Sequence, residues 1–332
     1  MSFLRNTCAS IAAAAVAASF SLPAAADERD DWPDSATVGT ASQGGTYFVY
    51  GAGWAGLVQE MTGVNASSEV TGGPVQNMAL VHQGDLDFGM TTMGPAFDGW
   101  TGESELAPGV EMTNVRAMFP MYMTPFQVVT LEGNDIETIE DLEGKRLGVG
   151  PRGGTPGTYW PRFLEELGVD VDVRYGGAAD LAGQLQDGLI DAFAFAAGLP
   201  ISAFSQVEAQ ASAHMFAFSE DEQQHLVDAF PSVSAFTIPA DTYRTQDEDQ
   251  HTVAMWNFAI ANKDMPASLV KEIMETVLDN NERMVSIHSA AEETLPEHWD
   301  KNTFLWFHPG AVEYFQERGI ELPEDVIPPE VE

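Results

Sequence analysis

The sequence predicts an α/β protein of two lobes, each lobe a mostly parallel β-sheet flanked by helices. Three observations support this fold class. Short apolar segments alternate with helical patterns from residue 37 onward, the alternation restarts near residue 115, and the chain returns late to helices that need a partner sheet. Such alternation is typical of parallel sheets built from βαβ units, and its restart indicates a second sheet.

The first block contains three predicted strands. Strand 37–41 ends in the turn-rich loop 42–46, and an apolar helical pattern with several glycines follows over 47–61. Strand 66–70 precedes a helix over 74–82, whose start is marked by Pro74, and strand 86–90 closes the block. This order is that of consecutive βαβ units.

The second block begins with two extended apolar segments, 115–121 and 126–131, punctuated by Pro120 and Pro125. A short helix over 138–142, strand 146–149, loop 151–158 and a helix over 159–167 follow. The unit then repeats as strand 171–175, helix 178–186 and strand 190–195. After a polar helical region, strand 235–238 precedes a long helix over 266–287 and a last one over 309–318.

The economical arrangement of these blocks is two lobes joined by two crossovers. The first lobe is predicted to contain residues 27–124 and 235–332, and the second residues 125–234. Hinges are expected near 125–128 and 235–238. In open α/β sheets, ligands bind beyond the carboxyl ends of the strands, so two facing lobes form a cleft that a hinge can close.

The first 26 residues have the pattern of a secretory signal peptide. Arg5 is the only charged residue before Asp27, an apolar run covers 11–20, and small residues at 24–26 precede the polar break. The only cysteine, Cys8, lies before the apolar run. A cysteine that carries a lipid anchor would follow that run, so we do not expect a lipoprotein. We therefore expect an exported periplasmic protein, with no disulfide in the mature chain.

The charge balance excludes two classes of partner. The formal net charge is −37, and the acidic residues are spread along the chain. Such a surface repels nucleic acid and anionic lipid, so neither is an expected partner. Colloidal solubility and adaptation to saline surroundings both explain the acidity, and the sequence does not separate them.

A glycine-rich motif, Gly148-Val149-Gly150-Pro151-Arg152-Gly153, follows a predicted strand and precedes a predicted helix. It matches the dinucleotide fingerprint G-x-G-x-x-G, and Asp170 lies about 20 residues further on. A loop that binds a carboxylate or phosphate through its backbone N–H groups is the preferred interpretation. A plain turn comes second, and an exported oxidoreductase that binds a dinucleotide comes last.

Arg152 favours the anion interpretation. Cations are rare in this chain, yet Lys145, Arg146, Arg152, Arg162 and Arg174 fall within one stretch of 30 residues. Arg152 lies inside the loop and is best placed for a bidentate bond to a carboxylate. The other arginines are expected to form surface ion pairs.

Other polar and aromatic residues are expected at the same edge of the two sheets. The loop after the first strand offers Ser42, Gln43, Thr46 and Tyr47, and Thr91 and Thr92 follow the third strand. Helix capping is the alternative role for each of them. Most aromatic residues belong to the core by default, but one at a strand end, such as Phe195, is suited to covering a ligand's carbon skeleton.

Signals of catalysis and of metal binding are weak. There is no G-x-S-x-G motif, and Ser268-Leu269-Val270-Lys271 matches S-x-x-K without its partner motifs. The seven histidines include no H-x-x-x-H pair. We expect neither an enzyme nor a cofactor or metal site.

Several motifs, in order along the chain, resemble the TAXI solute receptors, the binding proteins of one branch of the tripartite ATP-independent periplasmic (TRAP) transporters. The opening TVGTASQGGTYFVYGAGWAG at 37–56 is similar to the family's "GT…GGTY…G". The matching segments that follow are TGGPVQN at 71–77, GDLDFG at 84–89, DLEGKR at 141–146, the stretch 243–249 and HPGA at 308–311. Together they cover nearly all of the chain after the predicted signal peptide.

The resemblance implies a periplasmic binding protein of the second class, without catalysis, that delivers its ligand to TRAP membrane subunits driven by an ion gradient. It implies a small organic anion as ligand: a dicarboxylate, a 2-oxoacid or an acidic amino acid such as glutamate. We expect a monomer.

The family's "GSGTE" aligns here with either of two segments, which makes Gly153, Gly154, Thr155, Thr158 and Tyr159 candidate ligand contacts. The family often has Gln, Asp and Tyr where this chain has Thr92, Gly94 and Phe97. The acidic residue of "GSGTE" is absent in both alignments, which suits an anionic ligand or one that is less cationic than an amino acid.

Overall fold

The computed structural model describes Arg29 and residues 31–331, which contain ten strands and ten α-helices. The predicted signal peptide lies outside the described residues. The strands are β1 (Ser35–Gly39), β2 (Asn65–Glu69), β3 (Phe88–Thr92), β4 (Val115–Leu131), β5 (Arg146–Gly148), β6 (Asp172–Arg174), β7 (Ala192–Ala196), β8 (Ala213–Phe216), β9 (Ser234–Ile238) and β10 (Gln250–Asn262). The helices are α1 (Thr46–Thr62), α2 (Pro74–Gln83), α3 (Met93–Trp100), α4 (Thr155–Glu166), α5 (Ala178–Gln186), α6 (Ser202–Gln210), α7 (Glu220–Ala229), α8 (Ala267–Leu278), α9 (Asn281–Ile287) and α10 (Pro309–Glu317).

One continuous sheet passes through both lobes in the order β2-β1-β3-β10-β4-β7-β5-β6, with β8 paired to β4 and β9 to β10. The pairs β1–β2, β1–β3, β5–β6 and β5–β7 are parallel, whereas β4 and β10 run antiparallel to their neighbours. The predicted two-lobed α/β fold is confirmed, with two long antiparallel strands added at its centre.

β4 connects the lobes because it is long enough to serve both. Its 17 residues span about 56 Å at ~3.3 Å per residue. Residues up to Pro125 pair with β10, and Phe126 onward pairs with β7 in the second lobe. Proline cannot donate a ladder hydrogen bond, so Pro125 weakens the pairing where the strand changes partners.

The second connection lies in β10, a strand that the sequence pattern does not predict. The first half of β10 pairs with β9, and from Asn257 onward it pairs with β3. Val253 and Met255 pack in the core of the second lobe, whereas Phe258 packs in that of the first. The chain therefore returns to the first lobe near residue 256, about 20 residues later than the crossover predicted at 235–238.

Two other predicted boundaries were wrong for local reasons. The helix predicted over 266–287 is divided into α8 and α9, because Asp279, Asn280 and Asn281 favour a turn. The loop predicted over 151–158 ends early, since α4 begins at Thr155 with Pro156 in its first turn, where a missing N–H costs nothing.

The hydrophobic cores follow the lobes. One cluster fills the first lobe around Trp54, Phe119 and Tyr314, all buried. Two clusters cover the faces of the second lobe's sheet, one around Trp160 and Phe163 and the other around Phe193 and Phe204. Within the described residues, no helix is both long and apolar enough to cross a bilayer.

Candidate functional site

A small cavity lies between the lobes, beyond the carboxyl ends of β1, β3, β5 and β7. Its volume is about 40 Å³. This is the edge at which open α/β sheets bind ligands. The lining residues are Ala41, Ser42, Gly45, Thr46, Tyr47, Gly72, Gly73, Pro74, Thr92, Thr124, Pro151, Gly154, Thr155, Pro156, Phe195, Ala196, Ala197 and Asn257.

Hydrogen bonds between the lobes hold the cavity closed. The hydroxyls of Thr92 and Thr155, one from each lobe, lie 2.5 Å apart, and both side chains are buried. The hydroxyl of Thr46 donates to the carbonyl of Gly198 at 2.6 Å. The carbonyl of Gly153 accepts from the N–H groups of residues 75 and 76 at 3.0 and 3.3 Å. The structure is therefore the closed form of a two-lobed protein.

The loop after β1 also reaches the second lobe. The hydroxyl oxygen of Ser42 accepts from the N–H of Ala178 at 3.2 Å, and the carbonyl of Gln43 accepts from the N–H of Ala179 at 3.1 Å. Both amides belong to the first turn of α5. The loop thus contacts the helix start with main-chain and hydroxyl oxygens, while the Gln43 side chain is exposed.

The floor of the cavity is formed by the two connecting strands. The hydroxyl of Tyr47 donates to Oδ1 of Asn257 at 2.6 Å. Nδ2 of Asn257 donates to the carbonyl of Tyr122 at 2.5 Å and lies 2.7 Å from Oγ1 of Thr124. Burial raises the pKa of Tyr47 well above its ordinary value, so its hydroxyl stays protonated and remains a donor.

The lining contains no charged side chain. Positive potential comes instead from helix N-termini, because α1, α2, α3 and α4 all begin at the cavity. Their N-cap residues are Gly45, Gly73, Thr92 and Gly154, and none makes a side-chain hydrogen bond to the first turn. Each helix N-terminus carries about half a positive charge, so this arrangement favours an anion.

Seven of the thirteen predicted contact residues line the cavity. They are Ser42, Thr46, Tyr47, Thr92, Gly154, Thr155 and Phe195. The six others do not line it: Gln43, Thr91, Arg152, Gly153, Thr158 and Tyr159. Thr91 points away because side chains alternate along β3, and its hydroxyl donates to the carbonyl of Thr92 at 3.2 Å.

Three residues predicted in the second lobe are used elsewhere. Gly153 is engaged in the contact with the first lobe described above. Thr158 is buried one turn into α4, and its N–H donates to the carbonyl of Gly154 at 3.2 Å. The Tyr159 hydroxyl donates to Asp98 at 3.4 Å, on the far side of the contact between α3 and α4. The early start of α4 explains these differences, because helical periodicity turns residues 158 and 159 away from the cavity.

Arg152 lies outside the cavity, although the sequence predicts it as the main positive contact to the ligand. Its side chain is exposed, and its guanidinium lies 3.7 Å from the centroid of the Tyr175 ring. A cation–π contact of this kind draws the charge to the surface of the second lobe. In the closed form, Arg152 makes no contact with the space where a ligand would lie.

Asn257 and Thr124 were missed because the connecting strands were not recognised as part of the site. An asparagine inside the apolar run VAMWNFAI is the signal that identifies the first, since a buried amide needs hydrogen-bond partners. The glycines at 72 and 73 were noted only for their family resemblance. A side chain at Gly73, whose φ is 114°, would meet Gly154 at 3.1 Å, so the two lobes approach here through glycines.

The Gly148–Gly153 loop does not have the geometry of a dinucleotide site. A Cβ at Gly150 would lie 2.8 Å from Pro156 and 3.0 Å from Phe195, so these residues cover the loop. On its other side Gly153 meets the first lobe. The adjacent cavity of about 40 Å³ is also small beside the 300–1,000 Å³ typical of pockets for larger ligands.

Comparisons with known proteins agree with this architecture. Residues 38–319 match the model of the NMT1-like family, and the chain belongs to that family. Among solved structures, the periplasmic binding protein BugD is similar, with a TM-score of 0.55 at 16% identity over 86% of this chain and 97% of that one. A binding protein component of an ABC phosphonate transporter from Pseudomonas aeruginosa has a TM-score of 0.50 at 9% identity, over 80% and 81% of the two chains. The shared fold is the two-lobed fold of periplasmic binding proteins.

Proposed function

We propose that this member of the NMT1-like family is an extracytoplasmic solute-binding protein that captures a small organic anion between its lobes. The observation that carries the proposal is the convergence of helix N-termini on a cavity without charged side chains. Because the amides of residues 75 and 76 in α2 bond to Gly153, the starts of α1, α3 and α4 remain for the ligand. Together they supply about 1.5 positive charges, enough to balance one carboxylate.

The cavity's dimensions and groups narrow the ligand class. A water needs about 10–15 Å³, so a cavity of about 40 Å³ admits roughly three water-sized groups, about the size of a carboxylate head. An amino acid's ammonium group would need a carboxylate partner, which the lining does not offer. Among the acids suggested by the sequence, small 2-oxoacids therefore fit best, and longer dicarboxylates require the lobes to part further.

The partner we propose is a pair of TRAP-type membrane subunits, on the strength of the ordered motif resemblance. The similar binding protein from Pseudomonas aeruginosa belongs to an ABC transporter, and an ABC partner makes a different prediction. Receptor-dependent uptake into membrane vesicles that contain the native membrane partner should run on an ion gradient and continue without ATP. Uptake that stops when ATP is withdrawn would assign the receptor to an ABC system.

A thermal-shift screen tests ligand capture directly, since a ligand that binds only the folded state raises the melting temperature. The screen should contain pyruvate, 2-oxobutyrate, 2-oxoglutarate, succinate and glutamate, with glucose and choline as controls. We expect the small 2-oxoacids to give the largest shifts. Titration calorimetry then measures affinity, and small-angle scattering should show a smaller radius of gyration on binding. A shift with glucose or choline alone would reject the proposal.

A further inference from the structure

A second and much larger groove lies between the lobes, on the opposite face of the connecting strands. Met123 and Trp256 line the groove, whereas their neighbours Thr124 and Asn257 line the small cavity. Side chains alternate between the faces of a strand, so the two sites are separated by the thickness of β4 and β10. The groove has a volume of about 970 Å³, at the upper end of the range for pockets that bind small molecules.

Aromatic side chains from both lobes form much of the groove. The first lobe contributes Phe97, Trp256 and Phe304, and the second contributes Tyr159 and Phe230. Phe97 is 45% exposed, which is unusual for so large an apolar side chain, and it packs edge-to-face on Phe304 at 5.4 Å between ring centroids. Tyr159 is only 3% exposed, and the Arg162 guanidinium lies 5.0 Å from its ring centroid. The other four rings are therefore the ones that offer π-faces to an occupant of the groove.

The charges around the groove favour a cation. Three carboxylates line it, from Asp98, Glu103 and Asp300, against the two cations Arg162 and Lys301. Both cations already have acidic partners. Arg162 lies 2.9 Å from Asp98 and 3.1 Å from Glu105, which adds a further carboxylate at the rim, and Lys301 lies 3.4 Å from Asp300. The local excess of negative charge agrees with the net charge of −37 for the whole chain.

We propose that this groove binds an amphipathic organic cation, an ammonium group joined to an aromatic or alkyl body. Aromatic faces attract cations, and quaternary ammonium groups are bound in cages of such rings. The apolar part of the ligand would cover Phe97 and Phe304, and the ammonium would lie near Trp256 and Glu103. An anion of the class proposed for the small cavity would meet repulsion here.

The groove is also placed to couple its ligand to lobe closure. The pair Arg162–Asp98 joins α4 of the second lobe to α3 of the first at its wall. A molecule that touches both lobes in the closed form stabilises that form. Linkage then requires the groove ligand and the cavity ligand to raise each other's affinity by the same factor.

Titration calorimetry with benzyltrimethylammonium tests the proposal at constant ionic strength, with benzyl alcohol as the neutral probe. We expect one site for the cation and weaker or no binding of the alcohol. Glu103→Gln removes a charge from an exposed loop position and should weaken binding about two- to fivefold. Glu313→Gln removes the same charge from the exposed face of α10 and should leave affinity unchanged.

A second variant tests the contribution of the aromatic rings separately from that of the negative charge. Trp256→Ala should weaken binding of the cation about fivefold or more, while circular dichroism checks that the variant is folded. Equal losses in the Glu103 and Glu313 variants, or no binding at millimolar probe, would overturn the proposal. These outcomes leave capture of organic acids in the small cavity untouched.

Discussion

The hydrogen bond between Thr92 and Thr155 offers the sharpest test of the closed site. The two hydroxyls come from opposite lobes, lie 2.5 Å apart and are buried. Valine has nearly the shape of threonine without the hydroxyl, so Thr92→Val and Thr155→Val remove the bond with little change in packing. We predict that each single substitution weakens binding of the best acid from the screen.

The magnitude follows from the burial of the pair. A neutral hydrogen bond contributes about 0.5–1.5 kcal/mol net, and a buried hydroxyl left without its partner costs about 1–3 kcal/mol. Each single variant should therefore lose roughly five- to a hundredfold in affinity. The double variant leaves no orphaned hydroxyl, so its loss should be no greater than that of a single variant.

Titration calorimetry on the four proteins completes a double-mutant cycle. Thr237→Val, at an exposed position of β9, is the matched control and should bind as the wild type does. Losses that simply add in the double variant would mean that the two hydroxyls do not meet in the bound form. Single variants that bind like the wild type would refute the closed geometry as the binding state.

Three further predictions follow from single residues. Arg152→Ala should change the affinity for the acid less than twofold, because this arginine is exposed and lies outside the cavity. A tenfold loss of affinity in calorimetry would show that Arg152 moves to contact the ligand in the bound form. Burial, aided by the nearby Arg116, lowers the pKa of His308 from 6.5 to about 4. As the pH falls, the unfolded chain therefore takes up this proton before the folded protein does. Between pH 7 and about pH 5 the wild type should lose about 2 kcal/mol of unfolding free energy that the His308→Asn variant does not lose. Equal losses in the two proteins, measured by urea unfolding, would contradict this prediction. Gly157→Ala would place a Cβ 2.1 Å from the carbonyl oxygen of Pro151 and should destabilise the protein by about 1–3 kcal/mol. Gly183→Ala is the control, because a Cβ there meets open space. Equal melting temperatures for the two variants would show that the start of α4 relaxes without cost.

The motif in the glycine-rich loop predicts its backbone but not the direction of its side chains. The sequence predicted a loop over 151–158 followed by a helix, and the structure contains both, but the helix begins at Thr155, four residues earlier than predicted. The direction of the Arg152 side chain was inferred from the scarcity of cations, but the position of the Tyr175 ring decided it. That contact joins residues 23 positions apart, and no local pattern encodes it.

The connecting strands illustrate the same limit for the fold. Apolar runs around Phe126 and Phe258 are visible in the sequence, but their partners are not. β10 pairs with β9, β3 and β4 in turn, and these pairings fixed the place where the chain returns to the first lobe. Strand pairing is a long-range choice, so the crossover near residue 256 was predicted about 20 residues too early.

The sequence by itself determined the α/β class, the two lobes and the edge at which the cavity forms, because these depend on periodicity and on the order of strands and helices along the chain. The tertiary structure alone decided which side chains face the cavity, that no charged group lines it, and that a second groove opens behind β4 and β10. The physical reason is that a side chain's direction depends on the register of its strand or the start of its helix. A shift of one residue in a strand, or of four in a helix start, moves a candidate such as Thr91 or Tyr159 out of the site.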